Sequence, residues 1–472
     1  MRPGAWLLAL ALVLGAAPAG AAERARSLVL FVGDGMGFAT VAAARALAGR
    51  LRGEPGGDRP LAFERLPHTA IVRTASADAL VPDSAAAMTA LMTGVRTRNG
   101  LVAVGPGARR GDCAGARGRA LRTLLEAAEA AGLATGVVTT TRVTHATPAA
   151  AYAHAPERGW ESDADLPEAA RRAGCTDIAR QLVERPPGDG LEVVLGGGRA
   201  AFLPRDGGGR RLDGRDLVAA WRARHPDGAY VATRGALLAA ARAGDARRVL
   251  GLFAPDHLAF EVDRPAGQPS LAEMTRAALA VLARHPRGHV LVVEAGRIDH
   301  GHHAGDAFRA LTEVLALDEA VAAALEAVRL ERTLVVVTAD HASALAFAGW
   351  PARSSPLLGE AVELGPDGLP RPGRAADGQP YTVLGYATGP GPARGVRGRP
   401  GEPGFRLPAR VPMAHGAHGG ADVPLYAGGA GAARFHGAIA QAEVHRLLRA
   451  ALGLDAPHAP HAPPDGPEGL PP

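Results

Sequence analysis

Short runs of β-branched and other apolar residues recur along the chain, and several end at a residue able to do chemistry. Ser27 to Val32 runs into Gly33-Asp34-Gly35, His289 to Val293 into Glu294, and Leu334 to Val337 into Thr338-Ala339-Asp340-His341. Gly136 to Thr139 and Glu192 to Leu195 have the same character. Apolar residues follow one another in these runs instead of alternating with polar ones, which predicts central parallel strands buried on both faces. Between them lie Ala-, Leu- and Arg-rich segments of helical period, near 40–50, 119–131, 214–224, 270–285, 307–327 and 437–452. The alternation predicts an α/β fold with a doubly wound, mostly parallel central sheet flanked by helices. Ligands of such sheets bind outside the carboxyl ends of the strands. Asp34, Glu294, Asp340 and His341 are therefore expected to meet at one edge although they lie far apart in sequence.

The periodicity breaks down from about 351 to 413, a stretch rich in Gly, Pro and Arg, which reads as a loop-rich, crown-like insertion on one main domain spanning 22–455. Residues 456–472 are Pro- and His-rich and predict a disordered tail. At the other end, Arg2 precedes an apolar run from Ala5 to Leu14 and the small residues Ala19-Gly20-Ala21, the layout of a signal peptide over 1–21, with an uncleaved anchor as the alternative. No other stretch is apolar for long enough to span a bilayer. A secreted or periplasmic location follows as an expectation, and with it an oxidising environment. Cys113 and Cys175 are the two cysteines; they form either a disulfide closing a long loop or two buried thiols. The chain's 472 residues, 47% of them hydrophobic, suffice for a large core. The net charge of +5 comes from arginines, without a single lysine. They are scattered and not interleaved with aromatics, so no nucleic-acid partner is expected.

Asp299-His300-Gly301-His302-His303 places a carboxylate and an imidazole four residues apart, on one side of a helical turn. That donor pair suits zinc, and three histidines in four positions are hard to account for by packing. Asp340-His341 at a strand end can direct two donors at one ion, or be a capping Asp beside an exposed His. Asp34 lies in Gly33-Asp34-Gly35-Met36-Gly37, where glycines permit close approach of the backbone to an ion and equally suit a plain turn. Ser84, in Val81-Pro82-Asp83-Ser84-Ala85, stands where a loop feeds a helix. Its amide-rich surroundings favour an anion, yet on local sequence a Ser/Asp N-cap is the stronger reading. Taken together, these residues point to a metallohydrolase acting on an anionic substrate.

With those residues in view, the sequence resembles the alkaline phosphatases, the animal-type enzymes more than the shorter enteric-bacterial ones. The resemblance runs from Gly33-Asp34-Gly35-Met36-Gly37 to His418-Gly419-Gly420-Ala421-Asp422-Val423 and is densest over Val293 to His303 and Tyr152 to Asp165. It implies phosphomonoester hydrolysis at alkaline pH through a phosphoserine on Ser84, with Arg158 clamping the phosphate. It implies two zinc ions, one on Asp299, His303 and His418 and one on Asp34, Asp340 and His341. A magnesium ion would sit on Asp34, Thr147 and Glu294, with His145 and His300 just outside the ligands. His415 is the rival of His418, which the following Gly-Gly-Ala-Asp-Val favours. A Cys113–Cys175 disulfide and a homodimer are implied as well. The animal-type calcium site is expected to be lost, because Ala254 and Gln268 stand where acids would be. No lipid anchor is expected from the Pro-rich end. Related phosphodiesterases and sulfatases, and an exported phosphate- or metal-binding protein, are the competing readings.

Overall fold

The computed structural model describes residues 24–54 and 56–455; the expected leader over 1–21 and the expected tail over 456–472 lie outside them. Ten strands form the central sheet: β1 Ser27–Gly33, β2 His68–Arg73, β3 Ala134–Arg142, β4 Val193–Gly197, β5 Gly228–Val231, β6 Arg248–Leu252, β7 His289–Ala295, β8 Thr333–Ala339, β9 Val423–Gly429 and β10 Gly437–Ala440. Their spatial order is β10-β2-β9-β8-β1-β7-β3-β4-β6-β5. Only β9 runs against its neighbours. All seven residues of β1, β7 and β8 are buried, as expected for parallel strands covered on both faces.

Helices Phe38–Leu51, Arg234–Ala243, Leu271–Leu282 and Ala307–Ala327 pack as one group, and Ser84–Thr93, Leu124–Ala130, Ala146–Ala149 and Gln441–Leu452 as another. The helix starts follow from local sequence. Ser270 with Glu273 and Thr123 with Glu126 close reciprocal capping boxes, and Asp306 accepts from Arg309 N–H to open the long helix. Helix boundaries differ from the sequence reading by a few residues, most at two places. Residues before Leu124 are not helical, because Thr123 is the cap. Gly437–Ala440 is a strand paired with β2 and not the first turn of the last helix; strands this short carry too little pattern to announce themselves.

Strand register assembles the functional edge. Gly33, the last residue of β1, pairs with Ala295 of β7 and with Ala339 of β8. The next residues in the chain, Asp34 and Asp340, therefore emerge side by side. Glu294 pairs with Val32 on one side and Thr139 of β3 on the other. Because β9 is antiparallel, its amino end reaches the same edge, which brings the preceding His418 to residues that leave the parallel strands.

The stretch read as an insertion, 351–413, contains more regular structure than its composition predicts, and a strand just before it joins in. Leu345–Phe347, Leu384–Gly389 and Ala409–Pro412 form a three-stranded sheet, and Val362–Leu364 pairs with Pro370–Pro372. Cys113 and Cys175 are joined in a disulfide with Cα atoms 5.9 Å apart. Near it, the fully buried Arg211 guanidinium donates to both carboxylate oxygens of Asp177, at 2.9 and 3.0 Å, and to Asp213.

At the opposite edge of the sheet, Glu129 is partly buried and accepts a 2.5 Å hydrogen bond from Thr135 Oγ1. Burial, despite that bond, and the nearby Glu192 and Asp189 raise its pKa to about 8. A carboxyl raised on folding contributes stability that is complete below its unfolded value and is lost as pH climbs through the folded one. Thermal stability of the wild type should therefore fall between roughly pH 5 and 9. Glu129→Gln should flatten that fall, giving a higher Tm than wild type at pH 9 and a similar one at pH 5. Parallel Tm profiles for the two proteins would contradict the assignment.

Candidate metal centre and nucleophile

Asp83, not Ser84, caps the helix Ser84–Thr93. Its Oδ1 accepts from Ala86 N–H at 2.9 Å, while Ser84 is the first helical residue. The capping duty that local sequence offered to either residue falls to the aspartate. Ser84 Oγ is left facing His341 Nε2 at 3.2 Å and Asp34 Oδ1 at 3.5 Å, in the field of the helix N-terminus. Asp83 has two further partners: its Oδ2 accepts from Gly100 N–H at 2.8 Å and from Arg158 Nη1 at 3.2 Å. One side chain thus positions both the serine helix and the arginine.

Among the described residues, three sets of donors have ligand atoms close enough to share an ion: Asp299, His303 and His418; Asp34, Asp299 and His341; and Asp34, His145 and Glu294. Asp299 and His303 lie on the helix Arg297–His303, so the i, i+4 spacing acts as expected. His303 Nε2 is 2.9 Å from Asp299 Oδ2, and His418 Nε2 is 3.3 Å from His303 Nε2 and 3.7 Å from Asp299 Oδ1. His415 is exposed and His418 is the histidine at the centre. Asp340 belongs here too: Oδ2 lies 3.3 Å from His341 Nε2, while Oδ1 accepts from Gly35 N–H and His341 N–H.

Backbone carbonyls set the tautomers of these imidazoles. Nδ1–H donates to Gly416 O from His303 (2.5 Å), to Pro82 O from His418 (2.9 Å) and to Ala342 O from His341 (3.3 Å). In each neutral ring the Nε2 lone pair is then free for a metal. His145 differs. Arg158 Nη2 donates to its Nε2 at 3.3 Å, so the neutral ring carries hydrogen on Nδ1, which is buried without a protein partner. His145 thus lies within reach of Asp34 and Glu294 with its Nε2 already accepting from Arg158. Arg297 Nη1 contacts His300 Nδ1 at 2.8 Å, and the His300 ring packs edge-on against His257 and His145.

The glycines of the first loop have steric reasons. Gly35 has φ +71°, and a Cβ there would lie 3.1 Å from Asp299 Oδ1. A Cβ on Gly37 would meet Ala342 Cβ at 2.7 Å.

Electrostatics mark the site as one for cations. Burial, followed by repulsion from Asp340, Asp299 and Glu294, raises Asp34 well above the usual carboxylate range. Burial, with Asp299 next, raises Asp340 to about 6. Burial takes Glu294 to about 7 even though it accepts hydrogen bonds from Thr139 and Thr141. Burial alone would raise Asp299 as well, but the hydrogen bond and charge of His303, and His418 beyond, hold it well below the usual range. Glu294 Oε1 and Asp340 Oδ2 are buried without a hydrogen-bond partner. Carboxylate oxygens in that state, beside Nε2 lone pairs, fit divalent cations. Imidazole and carboxylate suit zinc. Asp34 and Glu294, with Thr147 Oγ1 3.5 Å from Asp34 Oδ2, make an oxygen set suited to magnesium.

Sequence reasoning did not single out Thr139 and Thr141, although three consecutive threonines ending an apolar run were visible. Nor did it single out Asp83's link to Arg158, or His257, for which the sequence offers no signal.

The family profile described as "Alkaline phosphatase" matches residues 25–454. The tissue-nonspecific isozyme of alkaline phosphatase from Gallus gallus is 41% identical over 436 residues, covering 88% of this chain and 82% of that protein. An alkaline phosphatase of Gadus morhua is 38% identical over 436 residues, covering 88% and 89%. Among solved structures, the alkaline phosphatase of Thermus thermophilus superposes with a TM-score of 0.66 at 31% identity, covering 92% of both chains. With this fold, these donor sets and this breadth of similarity, the chain is an enzyme belonging to the alkaline phosphatase family.

Proposed function

We propose that this enzyme hydrolyses phosphate monoesters at alkaline pH through a phosphoserine on Ser84, at a centre that takes two zinc ions and one magnesium ion. One observation carries the reading: the Ser84 hydroxyl, relieved of capping by Asp83, sits at a helix N-terminus against His341 Nε2 at 3.2 Å. Asp299, His303 and His418 would hold one zinc; Asp34, Asp340 and His341 would hold the other beside Ser84. Asp34, Thr147 and Glu294 would hold the magnesium. When bound, the ions supply Lewis-acid charge that makes the serine hydroxyl acidic and stabilises the leaving oxygen.

The chain's own groups do the rest. Arg158, held by Asp83, presents its guanidinium to the phosphoryl oxygens, and the helix amides add positive potential. Ser84 Oγ bonds to phosphorus in line as the ester P–O bond breaks, and the alcohol leaves with the serine's proton in the net balance. Water then cleaves the seryl phosphate, releasing inorganic phosphate and restoring the hydroxyl. Two inversions give net retention at phosphorus. His145, just outside the ligands, would hold a water beside the magnesium donors through Nδ1–H. Calcium is left out of the reading: Gln268 Oε1 accepts from Ala259 N–H at 2.9 Å and Ala254 carries no donor side chain. Export, to a secreted or periplasmic location, is supported by the pattern of residues 1–21 and by the disulfide. No helix among the described residues is long and apolar enough to cross a membrane. The homodimer rests on the family resemblance.

Purified enzyme should hydrolyse p-nitrophenyl phosphate far faster than its diester or sulfate analogue; preference for either analogue would refute the monoester assignment. Ser84→Ala should lower kcat by roughly 10³-fold or more and trap no acid-stable phosphate, whereas covalent phosphate on the mutant would end the nucleophile's case. Arg158→Ala should cost about 10²-fold in kcat/KM, with little recovery in Arg158→Lys, because an ammonium cannot reproduce the bidentate fork. Chelation should abolish turnover, and zinc with magnesium should restore it; activity that persists in metal-free protein would refute the three-ion centre.

A further inference from the structure

A buried chain of hydrogen bonds runs behind the donor sets and has no part in the chemistry above. Tyr386, on the insertion strand Leu384–Gly389, meets His302 Nδ1 with its hydroxyl at 2.9 Å. His302 Nε2 lies 3.1 Å from Thr40 Oγ1, which is 3.2 Å from Ser343 Oγ. Tyr386, His302 and Thr40 are all buried. The direction of the chain follows from satisfaction of its groups. The phenol has no other hydrogen-bond partner among the described residues, so Tyr386 O–H donates to His302 Nδ1. The neutral ring then donates from Nε2 to Thr40, and Thr40 donates to Ser343. The reverse direction would bury the phenol proton without an acceptor.

Three members sit next to groups assigned to metal. His302 lies between Asp299 and His303 on their helix. Thr40 is in the first turn of the helix that follows the Asp34 loop, and Ser343 is two residues beyond His341. Tyr386 fastens this assembly to the insertion. The insertion's return segment also accepts from His303 through Gly416 O, and Gly416 packs against His302, where a Cβ would lie 2.8 Å from the His302 carbonyl oxygen. A histidine there only to fill space would not need a hydroxyl on each nitrogen.

We infer that His302 is a positioning residue: through Tyr386, Thr40 and Ser343 it locks the three ligand-bearing segments together and slows the escape of the ion on Asp299, His303 and His418. The inference rests on the metal reading above and deepens it, since it assigns the insertion a role in metal retention. Groups behind metal ligands commonly change affinity by about 10- to 100-fold when lost.

The test uses the full-length protein loaded with cobalt(II), whose visible spectrum reports ligand geometry. Tyr386→Phe and Thr40→Val each remove one hydroxyl while keeping the shape. Both should lose cobalt to a chelator about tenfold faster or more, with a shifted visible band and a metal-free Tm within a few degrees of wild type. His302→Leu should be worse than either, and adding Tyr386→Phe to it should change little further, because the chain acts as a unit. If His302→Leu does not fold, the two hydroxyl variants decide alone. Wild-type rates and spectra in both would overturn the proposal. Wild-type protein that takes up no cobalt would instead overturn the metal reading, and this is seen before any variant is made.

Discussion

Bringing Asp34, Asp299, Asp340 and Glu294 into one buried region sets the terms for everything around it. Carboxylates so placed repel one another, and burial penalises their charge further, so either protons or divalent cations must neutralise them. The repulsion arises from the register of the sheet: β1 ends level with β7 and β8, so the residues beyond the strand ends have nowhere to diverge. The sheet interior is fully buried and mostly apolar along those strands. Its stability comes from burial of side chains that take no part in chemistry, and that surplus holds like charges together.

Around this core the protein spends backbone groups to control side chains. Three imidazoles have their Nδ1 hydrogens fixed by carbonyl oxygens of three different segments, which orients Nε2 inward without any further acidic residue. Asp83 caps a helix, binds Gly100 N–H and steadies Arg158 with a single carboxylate. The serine and the arginine are thereby placed relative to one another by a shared support, the kind of arrangement that preorganisation requires.

Much of this was legible in the chain. Continuous apolar runs ending in Asp34, Glu294 and Asp340 announced buried parallel strands, because they are short, rich in β-branched residues and alternate with helical segments. The Asp299–His303 spacing announced a shared helical face, which the helix Arg297–His303 supplies. Ser84 was harder: whether a Ser or its neighbouring Asp caps a helix depends on the residue at which the backbone turns from extended to helical, which local sequence does not fix. His418 reaches the site through an antiparallel strand, and short-range pattern carries no information on strand direction. The same holds for the small sheet at the insertion, whose strands of three to six residues are too short to carry a pattern. Contacts such as Tyr386 to His302 join residues that nothing local relates; tertiary packing alone brings them together.

The antiparallel approach of β9 also sets an order of events in time. A chain synthesised from its amino end has Asp34 almost at once, yet it lacks His418 until nearly all of the sheet is present. Contacts between such distant positions form late, after the loop between them has closed. Until then the set of Asp299, His303 and His418 lacks a donor, and the free energy of binding an ion there cannot be drawn upon by partly folded forms. Ion capture therefore favours finished molecules over partial ones, and makes the centre a checkpoint on completion of the fold.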